Sequence, residues 1–531
     1  MTLRRAPRLP LLIVSLAAAV GLSACGSQVA DGEWRSVPRA GSSTSGQPSS
    51  PQSPPPSAVP DNGKVTWTDC KAEIERSIGT TLSGVRVDCG AVRVPQDWAN
   101  PTGDTFDIAL VRVRRLQQKN RIGSLLVNPG GPGASGIELA AQTPLFLPGE
   151  ILERFDIVGF DPRGVGQSDP IDCIPAASKD ASTAANPDPA PQAEFDAQVK
   201  LWREAISPCA AKYGKKLGYY NTEQTARDMD AIRAAVGDQK MTYLGYSYGT
   251  LLGAVYAHLY PGRIRAFVLD GAVDPNLDGI TASEGQAAGF EKAFDNFAAA
   301  CRAKGAGCPI GPDARRTLHD VLIKVAKKPV AGRGGETRAA TTGHVLSAVT
   351  AALYVRAQWP TLEKAISDVS QGDPTAVFSL SDSFAGRNPD GSYNNMTDAF
   401  TAIGCTDDRN PPTVAMTRKL QIEWRRKYPL FGAPLAMTLL SCAVWPGKHD
   451  PYPVGAAFGA PPIVVVGTTG DPATPYANTA KLAGLLGTGH IVTWQGEGHT
   501  AYPQTACVRE NISNYLLTTN APPDGLTCPA N

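Results

Sequence analysis

The feature of this chain that most restricts its fold is a series of short apolar runs, each stopping at a glycine-rich or acidic turn. Residues 124–128 stop at Pro129-Gly130-Gly131-Pro132-Gly133, and residues 155–160 stop at Asp161-Pro162-Arg163-Gly164. Residues 241–245 lead into Ser247, and residues 264–269 stop at Asp270-Gly271. Residues 462–466 stop at Gly467-Thr468-Thr469-Gly470-Asp471, and residues 490–494 stop at Gly496-Glu497-Gly498-His499. Runs that are apolar on both faces suit central strands of a mostly parallel sheet, because such sheets are covered on both sides. Residues 107–113 alternate, which also reads as a strand. Helical patterns lie between the runs. Residues 222–236 place Ala226, Met229, Ile232 and Val236 near one face, and residues 248–260 end before Pro261, which cannot continue a helix. Alternating strands and helices predict an α/β fold with a mostly parallel central sheet.

At 531 residues the chain exceeds what one compact core usually holds, so a large insertion or second domain is expected. Residues 276–455 break the strand–helix rhythm. They show helical patterns at 285–301, 315–328 and 351–369, and few strand-like runs. The reading is a mainly helical cap inserted between two parts of one sheet domain, residues 63–275 and 456–531.

The first residues read as a targeting segment, residues 1–24. Arg4, Arg5 and Arg8 precede an apolar stretch, residues 9–22, that is too short for a comfortable membrane span. Leu22-Ser23-Ala24-Cys25-Gly26 then resembles a bacterial lipobox, which implies that Cys25 becomes the N-terminus and carries lipid. An ordinary cleaved signal peptide is the other reading. Residues 25–62 are rich in Ser, Pro and Gly and carry too few apolar groups to offset ordering entropy, so they form a tether. The expected location is the outer face of a bacterial cell membrane, with the lipid on Cys25 as its attachment. A formal net charge of +1 leaves no basic surplus for phosphate, so nucleic acid is not an expected partner.

Cys25 aside, ten of the 11 cysteines remain. An even number in an exported chain favours disulfides. Neighbour pairing, the simplest arrangement, would join Cys70 to Cys89, Cys173 to Cys209, Cys301 to Cys308, Cys405 to Cys442 and Cys507 to Cys528, although sequence alone leaves connectivity open. A zinc site is the competing use, but the chain has no C-x-x-C pair, and no metal is expected.

The chemistry centres on Gly245-Tyr246-Ser247-Tyr248-Gly249, a G-x-S-x-G segment preceded by an apolar run and followed by a helical pattern. That context suits a serine on a strained strand-to-helix turn, with small residues two before and two after to relieve crowding. Serine needs a base, and the base needs an orienting acid. In this type of fold they follow in the order Ser, Asp or Glu, His. His499 follows a strand-like run in a glycine-rich loop, whereas His490 would begin that strand and His449 lies in the presumed connection from cap to core. Asp471 ends the preceding run, and Glu497 is the rival acid in the same loop as His499. Ser247, Asp471 and His499 are therefore the expected triad. The backbone N–H groups of Tyr248 and Gly131 are the expected oxyanion donors, since Pro132 has none.

Taken together, Asn128-Pro129-Gly130-Gly131-Pro132-Gly133, Asp161-Pro162-Arg163-Gly164-Val165-Gly166-Gln167-Ser168, Gly245-Tyr246-Ser247-Tyr248-Gly249, Gly470-Asp471 and Gly498-His499 resemble the proline iminopeptidase/tripeptidyl aminopeptidase family of α/β-hydrolases. The resemblance runs from about Val92 to Cys528, and its secreted tripeptidyl aminopeptidase branch fits best. It implies release of short units from free peptide N-termini. Pro129 departs from the family, where iminopeptidases carry His, and this argues against proline-specific single-residue cleavage. An aminopeptidase must hold a protonated amine, and Asp407 and Asp408 beside Cys405 are candidates. The Asp161–Gly164 segment would shape a loop beside the nucleophile or serve as a strand-end turn. No cofactor is needed. The other readings are a carboxylesterase or lipase using the same triad, and a non-catalytic envelope-binding lipoprotein.

Overall fold

The computed structural model describes residues 63–531. The targeting segment, Cys25 and the tether lie outside the described residues. Strands β1 (Thr68–Asp69), β2 (Val85–Pro95), β3 (Thr105–Arg115), β4 (Gly123–Asn128), β5 (Phe155–Phe160), β6 (Met241–Tyr246) and β7 (Ile264–Asp270) come first. A short hairpin, β8 (Val330–Ala331) and β9 (Ala339–Ala340), stands apart, and β10 (Ile463–Gly470), β11 (Gly489–Glu497) and β12 (Leu526–Cys528) complete the set. The main sheet has ten strands in the order β1-β2-β3-β5-β4-β6-β7-β10-β11-β12. Pairs from β1 to β5 on that side are antiparallel, and every pair from β5 through β12 is parallel.

Every residue of β4, β5 and β6 is buried, as strands covered on both faces must be. One face packs Tyr243, Leu252, Met229 and Phe267 together; the other packs Leu125, Val127, Ile157, Val268 and Val464. The helix Thr222–Ala235 starts at Asn221, whose side chain accepts the Gln224 N–H at 2.9 Å, a standard N-cap. The chain order reverses around β4 and β6, where an open α/β sheet forms its crevice at the carboxyl ends of the strands.

Between β7 and β10 the chain is helical, from Gly279–Lys304 through Val414–Lys427 and beyond, interrupted only by the β8–β9 hairpin among strands. This segment has its own core, built on Phe290, Phe294, Phe297, Leu318, Trp359 and Leu362. The single helical pattern read across 351–369 is two helices, Thr342–Leu353 and Trp359–Ser370. Val355 between them is extended, with φ −133° and ψ 111°. Pro360 sits in the first turn of the second helix, where its missing N–H costs nothing. Two helices between β5 and β6, Ala176–Ala184 and Gln192–Tyr213, drew no sequence signal; the longer one even contains Pro208. The first is tied to the later helical segment by the buried Lys179–Asp398 pair, and the link between the two by Arg425 on Asp188.

The ten cysteines are joined as Cys70–Cys89, Cys173–Cys209, Cys301–Cys308, Cys405–Cys442 and Cys507–Cys528, the neighbour order. Cys301 and Cys308 converge with Glu363, but both thiols are bridged and Glu363 pairs with Lys304 at 2.6 Å. Among the described residues no helix is long and apolar enough to cross a membrane.

Candidate active site

Ser247 forms the turn between β6 and the helix Tyr248–Leu259, at φ 56° and ψ −124°. A non-glycine residue held there costs about 1–3 kcal/mol, and such strain persists only where the surroundings enforce it. They do so here. The Ser247 N–H donates to the Asp270 carbonyl at 2.9 Å. A Cβ on Gly245 would lie 2.5 Å from the Gly249 carbonyl oxygen, and one on Gly249 would lie 2.9 Å from Asn128 Oδ1. The glycines on either side are thus demanded by close packing.

His499 lies just beyond the end of β11. Its N–H donates to the Tyr354 carbonyl at 2.7 Å, and the Tyr354 ring meets the imidazole edge-on at 5.3 Å. Nδ1 lies 3.0 and 2.9 Å from the two oxygens of Asp471. The buried Asp471 carboxylate also accepts the Ala473 and Thr474 N–H groups and the Thr474 hydroxyl, each at 2.9 Å, and the Thr500 N–H at 3.3 Å. These donors fix its direction. An Nδ1–H given to the carboxylate leaves the Nε2 lone pair free, and Nε2 is buried with no hydrogen bond. Burial disfavours the imidazolium, but the charge and hydrogen bond of Asp471, with the charge of Asp270, outweigh it and raise His499 above the ordinary imidazole value. The serine turn and the imidazole converge on Asp270-Gly271: a Cβ on Gly271 would lie 3.1 Å from His499 Cε1.

The loop after β4 rests on the serine turn. A Cβ on Gly130 would lie 2.6 Å from the Tyr246 carbonyl oxygen and 3.0 Å from the Tyr248 nitrogen. The Gly130 N–H is taken by Asn128 Oδ1 at 3.0 Å and the Ala134 N–H by the Gly130 carbonyl at 3.3 Å. Gly131 follows at φ 104°, next to the glycine that rests on the Ser247 turn, and Tyr248 opens the helix after Ser247. Gly133 faces the helical segment, where a Cβ would lie 2.8 Å from the Met396 carbonyl oxygen.

Of the other residues singled out by sequence, Glu497 does not reach the imidazole; its carboxylate accepts both of its 3.0 Å contacts from Asn296 Nδ2. Asp407 is buried and accepts the Thr222 N–H at 3.0 Å and hydroxyl at 2.6 Å, and that hydroxyl meets the Tyr248 hydroxyl at 2.5 Å. Burial pushes Asp407 up to about 7, against the Thr222 hydrogen bonds. Asp408 is buried on the Gly279 and Asn410 N–H groups, at 3.3 and 3.0 Å. Asp161 accepts the Ser135 hydroxyl at 2.5 Å and the Gln167 N–H at 2.9 Å, tying the loop after β4 to the loop after β5. Arg163 is buried in a forked pair with Asp228. Sequence reasoning assigned no role to Thr474, Tyr354 or Asp270. Asp270 alone carried a visible signal, as the acid that ends an apolar run.

Residues 123–341 match the family model described as the α/β hydrolase fold, and residues 428–528 match that of TAP-like protein. Serine protease Hip1 of Mycobacterium tuberculosis is 38% identical over 491 residues, which cover 87% of this chain and 91% of that protein. The chain belongs to the TAP-like α/β-hydrolases. This TAP-like hydrolase is a serine hydrolase. It is also similar to tripeptidyl aminopeptidase of Streptomyces coelicolor, 32% identical over 481 residues covering 87% of the chain and 86% of the relative. Carboxylesterase B of Mycobacterium tuberculosis is 36% identical over 481 residues, covering 87% and 89%. Peptidase and esterase names thus both occur among TAP-like relatives.

Proposed function

We propose that this TAP-like hydrolase is an exported aminopeptidase that releases short peptides, of tripeptidyl type, from free N-termini through an acyl-enzyme. The observation that carries the reading is Asp471 bonded to His499 Nδ1 with Nε2 left without a partner, together with a serine held at positive φ, in a chain whose relatives include a serine protease and a tripeptidyl aminopeptidase. Ser247 attacks the scissile carbonyl while His499 Nε2 takes its proton. The Gly131 and Tyr248 N–H groups hold the oxyanion. His499 then protonates the departing amine, and water, activated by the same nitrogen, releases the acyl group. Asp471 keeps the ring oriented and supports its charged form. No step calls for a metal or organic cofactor. Five disulfides are consistent with an oxidising compartment, and lipid on Cys25 would hold the enzyme at the outer face of the cell membrane.

A second reading, carboxylesterase, is favoured by the similarity to carboxylesterase B. Three chromogenic substrates separate the two: a free-amine tripeptide anilide, its N-acetylated twin and a short acyl ester. Turnover of the free tripeptide with loss of its acetylated twin supports the aminopeptidase. Ester turnover without peptide turnover moves the activity to the esterase. The pH profile follows from the raised His499. The base works only when neutral, so kcat/KM falls as pH drops through a value above the ordinary imidazole pKa of about 6.5. An acid limb below that value would contradict the assignment of His499 as base.

A further inference from the structure

Asp270 has no part in the steps above, yet it touches both halves of the site. It ends β7, which lies between β6 and β10, the strands that lead to Ser247 and Asp471. In register, Asp270 stands opposite Tyr246 on one side and Val466 on the other. Its carbonyl accepts the Ser247 N–H at 2.9 Å. Its carboxylate, 0% exposed, accepts the Ala501 N–H at 3.0 Å through each oxygen and the Tyr502 N–H at 2.7 Å. Those are the second and third residues after His499. One side chain and its own backbone therefore fasten the histidine loop to the serine turn.

The choice of an acid here needs a reason. A neutral amide could accept two N–H bonds, whereas a buried carboxylate with no cation in contact carries a desolvation cost of several kcal/mol. The groups facing Asp270 are His499, Asp471 and the Tyr246 phenol, which donates to the Tyr502 carbonyl at 3.2 Å. The only one of these that becomes positive is His499. We propose that Asp270 is a positioning residue: it locks the His499 loop onto the Ser247 turn, and its charge supports the imidazolium that forms during acyl transfer. The inference rests on His499 being the base. Burial raises Asp270 to about 7, opposed by the Tyr502 and Ala501 N–H groups and by His499, so its ionisation is tied to that of the imidazole.

The test is the rate of Ser247 labelling by a fluorophosphonate as a function of pH, which needs no knowledge of the natural substrate. Wild type, Asp270→Asn and Asp270→Glu are compared, with Ser247→Ala as blank and thermal unfolding as the check on folding. Asp270→Asn is expected to label roughly tenfold more slowly or worse at its optimum. Its acid limb should move toward lower pH by about half a unit or more, because loss of a negative neighbour lowers the imidazole pKa. Asp270→Glu keeps the charge but displaces it by a methylene, so its limb should return toward that of wild type while its rate stays low. A folded Asn variant with an unmoved limb and a rate within twofold of wild type overturns the proposal. Should the Asn variant fail to fold, a folded Glu variant labelling at the wild-type rate overturns it, and one that labels at least tenfold more slowly supports it. Absence of labelling in wild type would instead remove the acyl-enzyme reading itself.

Discussion

Ser247→Ala is expected to lower kcat on any accepted substrate by about 10⁶-fold, and Asp471→Asn by about 10⁴-fold. With Ser247 as the proposed nucleophile, alanine leaves none, and the proposed oxyanion donors alone would supply only a small part of the acceleration. The asparagine variant keeps shape but not chemistry. Asp471 takes hydrogen bonds from four donors besides the imidazole, two of them the N–H groups of Ala473 and Thr474 at 2.9 Å. Those donors would hold the amide oxygen, turning its NH₂ toward His499 Nδ1. The imidazole would then carry its proton on Nε2, where it cannot accept one from Ser247. Single-turnover assays across the two variants check both numbers. Since the residues act as a unit, the double variant should be no worse than Ser247→Ala. An Asp471→Asn variant with kcat within tenfold of wild type would shift the acid role to another carboxylate.

Arg163→Ala is expected to destabilise the folded protein by about 3–5 kcal/mol, with little direct effect on the chemistry. Arg163 is fully buried, its Nη2 and Nε lying 2.6 and 2.7 Å from the two oxygens of Asp228. The rest of its guanidinium donates to the carbonyls of Pro95, Gln96 and Tyr219. Truncation strands a buried Asp228 carboxylate that keeps Trp98 Nε1 as a donor at 2.8 Å, and takes a donor away from three backbone carbonyls. Paired replacement, Arg163→Met with Asp228→Leu, removes both charges and should recover a large part of the loss. Denaturant unfolding of the two variants measures this. Equal stability of Arg163→Ala and wild type would mean that the pair is not a structural tie.

The strands nearest the site were the most legible elements. β4, β5, β6, β7, β10 and β11 are short apolar runs that end at glycine or acid, because a strand covered on both faces has no polar side and must stop where the chain turns. The edge strands β1 and β12 and the long β2 gave weaker patterns, since edges and half-exposed strands mix polar with apolar positions. The helices 176–184 and 192–213 carry weak apolar patterns, the first with one buried residue and the second interrupted by Pro208, and the ties that hold this region, Lys179 to Asp398 and Asp188 to Arg425, join residues distant in sequence.

The sequence by itself determined the kind of site. A serine between glycines at the end of an apolar run, an acid ending a later run and a histidine after the last one leave few chemistries open, because strand ends in such a sheet gather on one edge. Tertiary structure decided which groups act on one another. It set Asp471 rather than Glu497 against the imidazole, carried Tyr354 from the inserted helices to the His499 backbone, and enclosed Asp407 and Asp408 in hydrogen bonds of their own. It also brought Asp270 onto Ser247 and the loop after His499 at once. Hydrogen bonds and burial depend on distances across neighbouring strands, and residues 231 positions apart in the chain, as Asp270 and Ala501 are, acquire such distances only when the sheet is assembled.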